Sequence, residues 1–172
     1  MASLELLHPD GRVIRYLERH SDHKGDYLLL EHRIPTPRIM SGPHWHPHLV
    51  ETFTVQEGTM KLIIDKKEML LHAGETLTIE PNQTHQFWNI GEQALIVQHK
   101  IQPPGKHGDM FRLIHKLETE GKLTSKGIPK NPLWLGLAWE CIDGYLVGPP
   151  PLIQRTLLGG LAALARLRGY KI

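Results

Sequence analysis

Cysteine is almost missing from this chain: Cys141 is the only one. A single thiol excludes an intramolecular disulfide framework and fits a reducing compartment. An excess of one charge is missing as well. Lys plus Arg total 20 and Asp plus Glu total 18, a net charge of +2. That excludes the dense basic face of a nucleic-acid-binding domain. The opening MASLELLHPD has neither a basic n-region nor a long apolar run. No signal peptide is therefore expected, and the cytoplasm is the expected location. No segment supplies the ~20 consecutive apolar residues of a membrane span, and no internal repeat or low-complexity tract interrupts the chain.

What is abundant is histidine, 12 in 172 residues. Histidine is the commonest metal ligand and the acid–base group that titrates nearest neutral pH. Three of them, His44, His46 and His48, lie within five residues. The length suits one domain of ordinary size, and 40% hydrophobic with 22% charged residues is a normal globular balance.

The chain changes character near residue 103. Before it, RVIRYLERH, DYLLLEHRI, ETFTVQEG, TMKLIID, ETLTIEP, HQFWNIG and ALIVQHKI are short, β-rich and roughly alternating. Gly, Pro, Asn or Asp punctuate them about every ten residues, which predicts a sandwich or barrel rather than alternating β and α units. After Pro103-Pro104-Gly105 the period becomes helical. Met110, Phe111, Leu113, Ile114 and Leu117 share one face, with Gly121 as a stop. Asn131-Pro132 reads as an N-cap with proline at the first helical position. Pro149-Pro150-Pro151 precedes a third helix that closes near Gly169. Two regions follow: a β domain over 1–102 and a helical extension over 103–172, expected to pack on the barrel or on a second copy in a homodimer. Cys141 falls in the apolar second helix and is expected to pack as a small hydrophobe.

The segment His44-Trp45-His46-Pro47-His48-Leu49-Val50-Glu51 carries the chemistry. Side chains two apart on a strand share a face, so His44 and His46 can bite one ion. Pro47 cannot donate to a ladder and marks a strand end or loop. In the next strand Glu51, Phe53 and Val55 share the inward face. A carboxylate on an apolar face is costly unless paired or bound to a cation. Farther on, His85, Phe87 and Asn89 share a face after a tight turn. Three neutral imidazoles and one carboxylate suit a divalent transition metal (Fe, Mn, Ni, Cu, Co or Zn) better than Mg or Ca. An alternative register would use His46 and His48, but only two residues then separate His48 from Glu51. His48 is otherwise a residue of the site's rim. His99 with Leu95, Val97 and Ile101, and His32 with Leu28, Leu30 and Ile34, each fall on an apolar face, as pocket-lining acid–base groups or as structural histidines. Trp45, Phe53, Met60 and Phe87 are candidates for core or pocket lining.

These residues resemble the two motifs of the cupin superfamily. The first is commonly written G-x5-H-x-H-x(3,4)-E-x6-G; here His44, His46, Glu51 and Gly58 fill it. The second, G-x5-P-x-G-x2-H-x3-N, is met by Gly74, His85 and Asn89. Fifteen residues separate Gly58 from Gly74, the short spacing of small single-domain bacterial cupins. Three slots depart: Arg38 replaces the opening glycine, Glu80 the proline and Asn82 the second glycine. Asparagine tolerates the left-handed conformation, so the turn can survive. The resemblance covers roughly residues 25–102. It implies a mainly β fold, a double-stranded β-helix (jelly-roll) barrel, here followed by C-terminal α-helices. It implies one metal held by His44, His46, Glu51 and His85, and a small organic substrate. Resemblance to quercetin dioxygenase-type cupins implies oxidoreductase chemistry with Glu51 as catalytic base. A metal-dependent isomerase or lyase, or a non-catalytic ligand-binding cupin, stays open.

Overall fold

The computed structural model describes residues 4–35, 38–39 and 42–172. It divides into two compact units, 1–104 and 105–172.

The first unit is built of antiparallel strands. β1 is Glu5–Leu7, β2 Val13–Asp22, β3 Gly25–Ile34, β4 Arg38–Ile39, β5 His44–Trp45 and β6 Val50–Glu57. β7 is Thr59–Ile64, β8 Lys67–His72, β9 Thr76–Ile79, β10 His85–Asn89 and β11 Leu95–Gln102. One sheet runs β1-β2-β3-β11-β6-β9; the other runs β5-β10-β7-β8, with β4 also on β10. Neighbours far apart in sequence, such as β3 and β11, lie side by side. That is the double-stranded β-helix arrangement the cupin resemblance implies, where the alternating segments predict a sandwich or barrel.

Alternation decides which side chains go inside. In β6, Glu51, Phe53 and Val55 are buried while Thr52 and Thr54 face out. The outward threonines pair across to β9, Thr52 with Thr78 at 3.1 Å and Thr54 with Thr76 at 2.9 Å. In β10, His85, Phe87 and Asn89 are buried; in β11 every second residue from Leu95 to Ile101 is. Ile34, Phe53, Val55, Met60, Leu62, Leu95 and Val97 belong to one apolar core.

Three turns hold this frame in register. The β7–β8 hairpin closes on Asp65 and Lys66, both at positive φ, the twist a two-residue hairpin needs. Gly58, which ends the first motif, sits at φ +84°, and a Cβ there would meet the Ala94 carbonyl oxygen at 2.8 Å. Asn89 is buried; its Nδ2 donates to the carbonyls of Ile34 and Gln93, and its Oδ1 accepts from the Gly91 amide. The last residue of the second motif thus ties the β10–β11 turn to the end of β3.

The second unit holds α1 (His107–Thr119), α2 (Pro132–Ile142) and α3 (Pro151–Leu167). Asn131 caps α2 as its sequence predicts: its Oδ1 accepts from the Leu133 amide at 2.8 Å, with Pro132 at the first helical position. Leu113, Leu117, Leu133, Leu137, Ala138, Ala162 and Ala165 form the unit's core. Glu140 bridges Lys106 and Arg166. Cys141 is buried, and burial pushes its thiol pKa up to about 11, so it stays protonated and packs as an apolar group. Among the described residues, no helix is long and apolar enough to cross a membrane.

Candidate metal centre

Four side chains from three separate stretches converge inside the first unit. One donor atom from each of His44, His46, Glu51 and His85 lies within 4.8 Å of the others, and all four residues are buried. β5 and β10 pair directly, with His44 opposite His85. Their ring centroids lie 4.3 Å apart, and the His46 centroid lies 5.0 Å from that of His44 and 5.4 Å from that of His85. Glu51 comes from β6, in the facing sheet.

The sequence places His44 and His46 on one strand face. In the structure β5 ends at Trp45, so His46 stands just beyond it. Its position comes from another tether: the His46 carbonyl accepts from the Asn82 amide at 2.7 Å. Asn82 is at φ +68°. The asparagine in the glycine slot therefore keeps the left-handed turn and also anchors the loop carrying His46.

The imidazoles are oriented from behind. Nδ1 of His44 donates to the Gly42 carbonyl at 2.8 Å, and Nδ1 of His85 donates to the Gln83 carbonyl at 2.9 Å. A neutral ring protonated at Nδ1 carries its lone pair on Nε2, and both Nε2 atoms face the cluster. Main-chain carbonyls in this role leave no trace in residue type, so sequence reasoning does not find Gly42 or Gln83.

Glu51 divides its two oxygens. Oε1 accepts from His99 Nε2 at 2.9 Å. Oε2 lies 2.8 Å from His85 Nε2 and 3.5 Å from His46 Nε2. The Glu51 Oε2 and His85 Nε2 atoms are buried and, although so close, make no hydrogen bond. Buried polar atoms are rarely left so. Two lone pairs converging side by side are what a shared cation would take up. The donor set of three nitrogens and one oxygen fits a divalent transition ion.

Charge follows the same geometry. Burial lowers the His44 pKa to about 4, helped by nearby His85, so the ring is neutral. Burial pushes the Glu51 carboxyl up, but His85 and His99 more than offset it and hold it well below the usual range. Burial also disfavours charge on His85, and Glu51 overcomes that and raises its pKa.

The other candidates separate clearly. Phe53 stacks on His99 with centroids 4.2 Å apart and packs 5.0 Å from Phe87, giving the cluster an apolar wall. Met60 lies in the apolar core. Trp45 is half-buried and His48 is exposed; His48 is not in the converging group. His99 and His32 are buried, with His32 Nε2 3.2 Å from His99 Nδ1. The sequence offers both as pocket lining; the structure puts His99 behind Glu51.

With fold and cluster in place, comparison with known proteins is direct. Residues 30–98 match the family model described as the cupin domain. Over that stretch the chain is similar to a cupin domain. A comparison with curated proteins found no match. Among solved structures, KdgF from Halomonas sp. is similar at 11% identity over 59% of this chain and 86% of that one, with a TM-score of 0.47. A double-stranded beta-helix protein from Klebsiella pneumoniae is similar at 20% identity over 54% and 76%, TM-score 0.46. The Cnp3 cupin domain of Schizosaccharomyces pombe is similar at 10% identity and TM-score 0.42, and 59% of its length is spanned by this chain.

Proposed function

We propose that this protein binds one divalent transition metal through His44, His46, Glu51 and His85 and uses it in oxidoreductase chemistry of the dioxygenase type on a small organic molecule. Similarity to a cupin domain alone does not carry this, because fold does not fix function. The observation that supports it is the buried cluster itself, above all Glu51 Oε2 and His85 Nε2 converging without a hydrogen bond. When bound, the ion supplies Lewis acidity and a template for substrate oxygen atoms. The protein supplies the rest. Carbonyls of Gly42 and Gln83 fix two imidazoles in the ligating tautomer, Phe53 and Phe87 keep the surroundings apolar, and Glu51 stays ionised to accept a substrate proton.

Metal analysis of the purified chain is expected to find a first-row transition ion near one per chain. Oxygen uptake is then measured with diketone, flavonol and thiol substrates, each metal in turn. Uptake supports the dioxygenase reading. Metal binding with isomerisation of an enolisable substrate but no oxygen uptake moves the assignment to an isomerase or lyase. A protein that neither contains nor takes up a transition ion refutes the metal reading altogether.

A further inference from the structure

Three neighbouring strands of one sheet carry a line of polar groups through an apolar interior. β3, β11 and β6 lie in that order. His32 on β3, His99 on β11 and Glu51 on β6 are 2–3% exposed. The register puts His99 opposite Phe53 and Leu30, Glu51 opposite Ile101 and His32 opposite Val97. Each histidine therefore reaches its neighbour diagonally on the same face, within range for long side chains. The distances are 3.2 Å from His32 Nε2 to His99 Nδ1 and 2.9 Å from His99 Nε2 to Glu51 Oε1.

The chemistry of these groups orders the chain. An ionised carboxylate only accepts, so His99 Nε2 donates. A neutral His99 then has its lone pair on Nδ1, which accepts from His32 Nε2. Phe53, stacked at 4.2 Å and 19° on His99, blocks rotation of that ring out of line. We infer that His32 and His99 are positioning residues: they hold Glu51 Oε1 from behind and so aim Oε2 at the ion. Neither histidine belongs to the converging ligand set. The inference rests on the metal reading above.

The test uses Co(II) binding to the full chain, followed by visible absorption and by competition with a chelator. His99→Leu removes the donor, His99→Gln restores one, and His32→Leu removes the outer bond without touching Glu51. Outer hydrogen bonds to metal ligands typically contribute 10–100-fold in affinity. His99→Leu is expected to weaken Co(II) by roughly that factor and to shift its visible bands, with recovery in His99→Gln. His32→Leu is expected to give a smaller loss and a band shift in the same direction. Should His99→Leu not fold, His99→Gln and His32→Leu still decide the matter. Unchanged affinity and bands in a folded variant overturn the positioning role. A histidine that only fills the core would alter thermal stability and leave the bands in place. If the unaltered protein binds no Co(II), it is the metal reading that fails.

A second surface, independent of this site, stands out in α3. Leu152, Ile153, Leu157, Leu164 and Leu167 are 75, 55, 60, 39 and 86% exposed. At 3.6 residues per turn they fall on one arc of about 140° opposite the buried Ala162 and Ala165. No charge lies in that arc. Arg155 and Arg166 flank one border and Arg168 the other, Arg166 also pairing with Glu140. From residue 144 to 172 there are four basic residues, Arg155, Arg166, Arg168 and Lys171, and no Asp or Glu. Self-pairing of antiparallel α3 helices would set Arg155 against Arg168 of the other copy with no acid in the segment to offset them, Arg166 alone being matched by Glu140. An apolar arc bordered by arginines is instead matched to anionic headgroups above acyl chains. We propose that α3 docks on an anionic phospholipid surface, lying along it rather than crossing it.

Full-length protein is sedimented with vesicles of phosphatidylcholine alone or with added phosphatidylglycerol. Binding is expected only with the anionic lipid and is expected to fall as salt rises. Leu157→Glu combined with Leu164→Glu is expected to reduce bound protein roughly tenfold or more. Arg155→Gln with Arg168→Gln is expected to remove most of the salt dependence. Absence of binding, or equal binding by the glutamate variant, overturns the proposal. So does a dimer in size-exclusion chromatography that the glutamate variant converts to monomer without any vesicle binding, which would assign the arc to a second copy.

Discussion

Metal affinity is expected to fall by more than roughly 100-fold in His85→Ala, beyond the 10–100-fold cost of losing an outer hydrogen bond, with metal content sharply lowered and the β signal in circular dichroism retained. His85 sits at the centre of the cluster: its ring is nearest His44, and its Nε2 lies 2.8 Å from Glu51 Oε2. Removing it takes one donor from the ion and leaves Glu51 with less to offset its burial. The strand should survive, because β10 keeps Phe87 and Asn89 inside and its ladders with β7 on one side and β4 and β5 on the other. His46→Ala is expected to behave alike. His48→Ala is the control: exposed and outside the cluster, it should leave metal content unchanged. Equal loss in the His48 variant would restore the register that uses His46 and His48; no loss in His85→Ala would break the ligand assignment.

The second large effect lies in the helical unit and reverses an ordinary rule. Alanine for glycine inside a helix normally stabilises by about 1 kcal/mol. At Gly136 a Cβ would meet Ala162 N at 2.6 Å, Leu161 Cβ at 2.8 Å and the Leu158 carbonyl oxygen at 2.9 Å. Two of these three atoms are backbone, so α2 and α3 must move apart. Such overpacking costs about 1–3 kcal/mol, occasionally more, and exceeds the propensity gain. Gly136→Ala is therefore expected to lower the melting temperature of the helical signal by several degrees, at about 4–8 °C per kcal/mol for a unit of this size. Gly160→Ala, in α3 with nothing within 4 Å of its added methyl, is expected to raise it. Both substitutions moving the transition the same way would show that the close approach does not limit packing there.

Much of the site was legible because it depends on local periodicity. The two-residue repeat places Glu51 with Phe53 and Val55, and His85 with Phe87 and Asn89, on buried faces, as the structure has them. Turn chemistry was legible too: Asn82 adopts the left-handed conformation that its slot requires, and Asn131 caps α2 through its side chain. Other parts were hidden. His46 is held by a backbone bond from Asn82, and His44 and His85 by carbonyls of Gly42 and Gln83, and main-chain groups are the same at every position.

Alternation along a strand says which side chains share a face, and so the residue pattern by itself determined the inward set and the nitrogen and oxygen donors it carries. It does not say which strands are neighbours or by how many residues they are offset. Only the tertiary structure placed β11 between β3 and β6 in the register that sets His99 behind Glu51 and His32 behind His99. It alone brought α2 and α3 close enough to demand glycine at 136. Both are long-range pairings, chosen by the burial of whole faces against each other rather than by any short stretch of chain.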